Sequence, residues 1–203
     1  SDSSPIYMFA VVCDDIDMDI THVIRGVDHL TNTAKQILVY NAFNAQLPTF
    51  AHIPLIHGDD GSKLSKRHGA ISTMEYQTQG YLPEAIRAYL LRLGWGSGND
   101  DVLNDEQALR EFSFEGIGRS PSRFDFAKLQ SVNEFFIKTL PNQRLIEVLQ
   151  NDYNFNFDAI LNPELALNLA KNRAKTLLEL ISVIRFFKKD FTKPQNIEQE
   201  KLE

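Results

Sequence analysis

The chain has 203 residues, with 21 Lys+Arg against 27 Asp+Glu and a formal net charge of -6. Apolar residues make up 43% and charged residues 24%, a balance that buries a core and excludes disordered, collagen-like and fibrous classes. No run nears the ~20 apolar residues of a membrane-spanning helix, and an acidic average is the wrong sign for a non-specific nucleic-acid coat.

A chain of this length forms one domain or two small ones. Ser1 to Pro5 is polar, without the basic and apolar regions of a signal peptide. Cys13 is the single cysteine. One thiol makes neither an internal disulfide nor a multi-cysteine zinc site, so a reducing cytosol fits, with Cys13 as a small core residue. The charge is uneven. Residues 1–34 hold six aspartates and one cation, Arg25, whereas residues 171–203 hold eight Lys/Arg and five Glu/Asp. A phosphate-bearing partner is met locally by such basic parts.

Met8 to Val12 is a short apolar run with β-branched residues and predicts a buried strand, followed by an acidic loop, Asp14 to Asp19. Thr21 to Ile24 predicts a second strand that delivers Arg25 and Gly26 at its end. A helix is expected from near Thr31, with Ala34, Ile37, Leu38 and Ala42 at helical spacing. Ala51 to Ile56 predicts a third strand, in which Pro54 argues against a fully paired central position. Strand, helix and strand at this spacing imply a βαβ crossover and a parallel sheet.

From His57 the texture changes. His57-Gly-Asp-Asp-Gly-Ser62 is a polar turn cluster leading into Lys63-Leu-Ser-Lys-Arg67, and from about residue 73 the pattern is helical. Pro83 and Gly94 bracket one helix, with Ile86, Tyr89, Leu90 and Leu93 as its apolar face. Asn104 and Gln107 form a capping-box pattern. Another helix covers Asp125 to Leu140 and stops at Pro141. Asn162-Pro163 opens a helical stretch that continues to about Lys189, and the tail from Pro194 is polar and frayed.

Lys63-Leu-Ser-Lys-Arg67 carries the chemistry. Its cations follow a Gly-containing turn and suit a polyphosphate whose charge moves during reaction. On charge alone a solvated basic loop is the plainer reading. The surrounding residues shift that balance. The basic loop resembles the Lys-Met-Ser-Lys-Ser loop of class I aminoacyl-tRNA synthetases. Pro5-Ile-Tyr-Met-Phe-Ala10, Asp14-Asp15, Ile20-Thr-His-Val-Ile-Arg-Gly26, Asp28-His-Leu30, His52-Ile-Pro-Leu55, His68-Gly69 and Gly80-Tyr-Leu-Pro-Glu-Ala85 resemble bacterial glutamyl-tRNA synthetases, in the same order. Phe124-Asp125, Lys128-Leu129 and Asn133 continue the resemblance, which covers most of residues 4–140. Beyond 141 it rests on helical character and position.

The resemblance implies α/β followed by all-α: the C-terminal half of a Rossmann-like nucleotide-binding fold, then helical domains. It assigns residues 1–70 to the catalytic domain, 71–141 to a helical stem-contact domain and 142–203 to the start of a helical anticodon-binding domain. It implies ATP-dependent attachment of glutamate to tRNA(Glu) through glutamyl-adenylate. The implied partners are ATP, accompanied by Mg2+, L-glutamate and tRNA(Glu), with no membrane, for a cytoplasmic and monomeric protein. Tyr7, Val11 and Arg25 fall at glutamate-pocket positions, with Val11 contributing shape. Asp28, His29, Ile56, Lys63, Lys66 and Arg67 fall at the ATP site. Lys63, Ser65 and Lys66 are the expected catalytic set.

The family also uses a His-Ile-Gly-His-like motif, and these 203 residues contain no such string. The resemblance places that motif ahead of Ser1, so the chain is expected to be an inactive part of an active parent. Glu134 stands where the family commonly has small or neutral residues. Three alternatives remain at this point: a non-catalytic tRNA-binding module with Lys171, Arg173, Lys175, Arg185, Lys188 and Lys189 as phosphate contacts, an enzyme that also charges tRNA(Gln), and the glutaminyl relatives. Helical character after Pro141 speaks against the last, whose anticodon parts are β-barrels.

Overall fold

The computed structural model of the chain describes residues 5–58, 60–65, 72–96, 98 and 102–189. The chain divides into two compact units, one of residues 1–70, 91–101 and 109–124, the other of residues 71–90, 102–108 and 125–203. Lys66, Arg67, His68 and Gly69 lie outside the described residues, as does the tail from Pro194.

The first unit opens with helix α1, Tyr7–Asp17, where a strand and an acidic loop were expected. A short apolar run does not separate the two by period. Length and the chain ending decide it here. The helix extends through three aspartates and closes with Asp19 in the left-handed region at φ +53°. Backbone bonds from Asp19 N to the Ile16 carbonyl (3.2 Å) and from Ile20 N to the Asp15 carbonyl (2.9 Å) complete that ending. Aspartates at a helix C-terminus oppose its dipole, and one of them has a compensating contact, the Tyr40 hydroxyl donating to Asp15 Oδ2 at 3.0 Å. Burial, then the Asp15 carboxylate, push the Tyr40 phenol up to about 12. Val12 is the residue of α1 that is fully buried; Cys13, expected in the core, is half-buried.

Strand β1, His22–Gly26, runs parallel to β2, Thr49–Ile53, and α2, Leu30–Ala42, connects them. This is the expected βαβ crossover. Pro54, without an amide hydrogen, ends β2, and after Leu55 the chain resumes as a separate short strand, β3, Ile56–His57. Strand β3 pairs with β4, Ser122–Arg123, also in parallel. Of the expected face of α2, Ile37 alone is half-buried. Ala34, Leu38 and Ala42 are exposed, whereas Thr33, Gln36 and Tyr40 are buried. A polar buried face arises because α2 packs against an arginine that needs oxygen acceptors, as described below.

The second unit is helical: α3, Thr73–Thr78; the start of α4, Pro83–Gly94; part of α5, Asp105–Glu111; α6, Phe126–Thr139; α7, Asn142–Tyr153; α8, Pro163–Lys171; and α9, Leu177–Ile184. Leu82, Leu129, Ile137, Leu145, Leu149, Leu167, Leu177 and Leu180 have 0% exposure and form its core, each contributing about 1.5–3 kcal/mol. On α4 the inward residues are Ala85, Ile86, Ala88 and Tyr89; Leu90, expected on that face, is exposed. Asn104 and Gln107 bond each other's backbone N–H reciprocally, as the pattern implied. The Asp125 side chain caps α6 and the Asn162 side chain caps α8. Helicity is not continuous to Lys189: α8 ends at Lys171, and Thr176 caps a new helix. Glu134 accepts from Lys138 one turn on, at 2.6 Å, which supplies a local reason for a carboxylate there.

Gly80 and Asn133 join the turn before α4 to α6 and α9. Gly80 has φ +86°, and its carbonyl accepts from Leu177 N at 2.8 Å. A Cβ there would meet Leu178 N at 2.9 Å and Leu177 N at 3.0 Å, both backbone atoms. Gly80→Ala is therefore expected to destabilise this unit by about 2–4 kcal/mol, measured as a lower midpoint in urea unfolding.

Candidate active site

Strands β1 and β2 pair Arg25 with His52 and Gly26 with Ile53, so their C-terminal ends lie side by side. In parallel α/β sheets this edge is where ligands bind. A cavity of about 380 Å³ sits at the other end, lined by residues such as His22, Tyr40 and Thr49, and contains none of the predicted site residues.

Arg25 is half-buried and held from α2. Its Nη2 donates to Thr33 Oγ1 and to Gln36 Oε1, each at 2.6 Å. Thr33 Oγ1 lies 3.2 Å from the His29 carbonyl and 2.9 Å from His52 Nε2. The guanidinium stands over the Phe50 ring at 5.7 Å, and its Nη1 points to the Tyr7 hydroxyl at 3.5 Å. Among the described residues Arg25 has no carboxylate partner.

Tyr7 is half exposed at the start of α1. Its hydroxyl lies 3.4 Å from His29 Nδ1, and the two rings meet edge-on at 6.0 Å. Val11, one turn along the same face of α1, is half-buried. The 3-10 turn Val27–His29 after β1 carries Asp28 and His29. Asp28 Oδ2 accepts from Lys63 Nζ at 2.6 Å. That contact, ahead of any other cause, holds the Asp28 carboxyl below its ordinary range. Gly26 leaves room for this carboxylate, since a Cβ there would meet Asp28 Oδ1 at 2.6 Å.

The turn before Lys63 is organised. Gly58 N donates to the Ser62 carbonyl at 3.0 Å, Gly61 takes φ +75°, and the Asp60 carboxylate receives Ser62 N at 2.9 Å. Lys63 bridges to His57, and Leu64 N donates to the Ile56 carbonyl at 2.9 Å. The Ile56 carbonyl thus already accepts one bond from the basic segment. Ser65 is half-buried. Lys66 and Arg67 lie outside the described residues.

Of the predicted set, Lys63, Asp28, His29, Tyr7 and Arg25 form one continuous chain of contacts, with Asp28 and His29 joined through the backbone. Thr33, Gln36 and His52 belong to the same cluster and were not singled out as site residues. Their signal was slight: Thr33 and Gln36 sit among four other polar residues of α2, Thr31, Asn32, Lys35 and Asn41. Among the described residues no group of three His, Cys, Asp or Glu side chains gathers to hold a metal ion. The described residues therefore do not form a protein-held Mg2+ cage.

The Asp28 pair gives a direct check. A carboxyl with a lowered pKa stays ionised and paired above its ordinary range and loses the pair as pH falls through its own value. Lys63→Met is expected to move the Asp28 titration upward in a carbon-detected NMR pH series.

A family model described as tRNA synthetases class I (E and Q), catalytic domain, matches residues 1–131. Among similar curated proteins, "Glutamate--tRNA ligase 2" of Wolbachia pipientis subsp. Culex pipiens (strain wPip) is 48% identical over 92% of this chain and 42% of its own length. "Glutamate--tRNA ligase 1" of Wolbachia pipientis wMel is 47% identical over 94% of this chain and 40% of its own. The chain thus spans about two fifths of the length of these relatives. Its fold is similar to the crystal structure of a glutamate tRNA ligase from Elizabethkingia meningosepticum CCUG26117 in complex with its amino acid, with TM-score 0.75 and 27% identity over 96% of this chain and 42% of that one. The family match covers the βαβ unit, the Arg25 cluster and the segment that begins at Lys63, and the chain belongs to the class I tRNA synthetases of the glutamate and glutamine type.

Proposed function

We propose that these residues serve ATP-dependent attachment of glutamate to tRNA(Glu) in the cytoplasm, in a protein of the relatives' length. The observation that carries this reading is the unbroken contact chain from Lys63 to Arg25. One end offers a cation beside a carboxylate, suited to a triphosphate and a ribose. The other offers a guanidinium with neutral partners, suited to an acidic amino acid.

Arg25 and the Tyr7 hydroxyl hold the substrate carboxylate, with Val11 shaping the wall. A triphosphate draws Lys63 away from Asp28, which frees Asp28 to accept from ribose hydroxyls beside His29. The glutamate α-carboxylate oxygen attacks the α-phosphorus, the bond from that phosphorus to the bridging oxygen breaks, and pyrophosphate leaves. Lys63, Lys66 and Arg67 stabilise the charge that develops on the departing phosphates, and Ser65 steadies their segment. Any Mg2+ would be held chiefly by the nucleotide and would neutralise part of the phosphate charge. In the second step a ribose hydroxyl at the tRNA terminus attacks the activated carbonyl and AMP departs.

We assign residues 1–70 to the catalytic domain, 71–141 to stem contact and 142–203 to anticodon binding. The helical character of α7 to α9 supports the glutamyl over the glutaminyl relatives. The test is ATP–pyrophosphate exchange with glutamate and tRNA by the complete gene product carrying these residues. Glutamate-dependent exchange is the expected result. Exchange that ignores glutamate would contradict the assignment. Residues 1–203 alone, with no His-Ile-Gly-His-like string, are expected to give none.

A second reading has its own support. Arg173, Lys175, Arg185, Lys188 and Lys189 are exposed, as tRNA phosphate contacts would be. Lys171 differs: its ammonium donates to the Leu140 carbonyl at 2.5 Å, and burial holds its pKa down. Filter binding of tRNA across a salt series tests the set. A steep loss of affinity with salt supports it, and a flat response removes it.

A further inference from the structure

Arg25 is a cation with an unusual set of neighbours. Thr33 and Gln36 are 7% and 2% exposed, so its two shortest hydrogen bonds are made away from water. Both acceptors are neutral oxygens, as is the Tyr7 hydroxyl, and the Phe50 ring face beside the guanidinium is uncharged too. A half-buried cation without a counter-ion is costly unless an anion visits it.

The orientation of Gln36 follows from donor chemistry. A guanidinium only donates, so the amide must turn its Oε1 toward Arg25, leaving Nε2 buried and without an acceptor. Arg25 Nε is likewise buried without an acceptor. The pair therefore has a surplus of donors and of positive charge. Thr33 is tied into the same network. Its Oγ1 accepts from Arg25 Nη2 and lies within hydrogen-bond distance of both the His29 carbonyl and His52 Nε2. This network fixes the guanidinium plane and leaves Nη1, beside Tyr7, as the end with donors to spare.

We propose that Gln36 determines substrate charge at this site: with Thr33 it positions Arg25 through neutral oxygens, and so keeps the arginine charge available to a substrate carboxylate. Gln36 touches Arg25 and not the substrate; it is a positioning residue, and its neutrality sets specificity. The inference rests on the reading of Arg25 as the glutamate-binding group.

Gln36→Glu tests it, because the side chain keeps its length and gains the charge that would pair with Arg25. In the complete gene product, glutamate KM in tRNA-dependent pyrophosphate exchange is expected to rise roughly a hundredfold, the equivalent of one lost charge-assisted contact. The kcat changes far less, and the preference for glutamate over glutamine narrows by a similar factor. Gln36→Met removes the acceptor without adding charge and is expected to raise glutamate KM by about tenfold while the preference is kept. Thr33→Val does the same from the other side of Nη2, and Thr33→Ser restores the parent value.

Thermal melts of each variant separate loss of fold from loss of charge, and the Thr33 pair stands if Gln36→Glu fails to fold. Equal glutamate-to-glutamine preference in Gln36→Glu and Gln36→Met would overturn the proposal, since packing alone would then explain both. If Thr33→Val left glutamate KM unchanged, the positioning role would fall. Arg25→Gln distinguishes the two levels. A large rise in glutamate KM there with none in Gln36→Glu defeats only the present inference; no rise in Arg25→Gln defeats the reading beneath it.

Discussion

Asn133→Ala is expected to lower the unfolding free energy of the helical unit by about 4 kcal/mol. Asn133 is 0% exposed and uses both ends of its amide. Its Oδ1 accepts from Leu82 N at 2.8 Å, and its Nδ2 donates to the carbonyls of Lys175 at 2.7 Å and Gly80 at 3.3 Å. Leu82, itself 0% exposed, begins the turn into α4, and Lys175 precedes the Thr176 cap of α9. Truncation removes three bonds and leaves the buried Leu82 N–H and the Lys175 carbonyl without their side-chain partner, whereas the Gly80 carbonyl keeps Leu177 N; each lost partner is worth about 1–3 kcal/mol. Urea unfolding followed by far-UV circular dichroism measures the change. Glu134→Ala, next in sequence, breaks a partly exposed i,i+4 pair and serves as the control, with an expected loss of about 0.5 kcal/mol. A loss for Asn133→Ala no larger than that of the control would show that the amide is not what ties these segments together.

Arg25→Gln is expected to raise glutamate KM by about two to three orders of magnitude in the complete gene product. The substitution keeps a polar side chain near Thr33 and Gln36 but removes the charge proposed to answer the substrate carboxylate. Because that contact is made with bound substrate as well as in the transition state, the effect falls on KM more than on kcat. Glutamine, which carries an amide in place of the side-chain carboxylate, is expected to lose less if Arg25 grips that group. An equal loss for both substrates would place Arg25 on the α-carboxylate that they share. A glutamate KM within a few-fold of the parent would remove Arg25 from the pocket.

Helix ends were the most legible part of the sequence, because they are set by local chemistry. Pro83 and Gly94 bound α4 as expected, Asp125 and Asn162 cap their helices through their side chains, and the Asn104/Gln107 box closes in both directions. The βαβ crossover followed from short strands on either side of one helix. Legibility failed where tertiary partners overrode local pattern. The apolar run Met8 to Val12 becomes part of α1, since a run of five has no period long enough to separate helix from strand. Helix α2 leaves Ala34, Leu38 and Ala42 exposed and buries Thr33 and Gln36, because β1 presents it with an arginine. That arrangement also hid Thr33 and Gln36, whose role exists only once β1 and α2 are packed together. His52 stood within a recognised string but gained a partner only in three dimensions.

The central claim is that Arg25 and Lys63 serve one ligand that joins an acidic amino acid to an adenosine phosphate. A crystal structure of the complete gene product with a non-hydrolysable glutamyl-adenylate analogue tests it most directly. The expected result is a glutamyl carboxylate in hydrogen-bond contact with Arg25 and Tyr7, ribose hydroxyls on Asp28, and the Lys63 ammonium turned from Asp28 toward the phosphate position. An analogue bound with its adenosine away from Asp28, or with no carboxylate on Arg25, would contradict it.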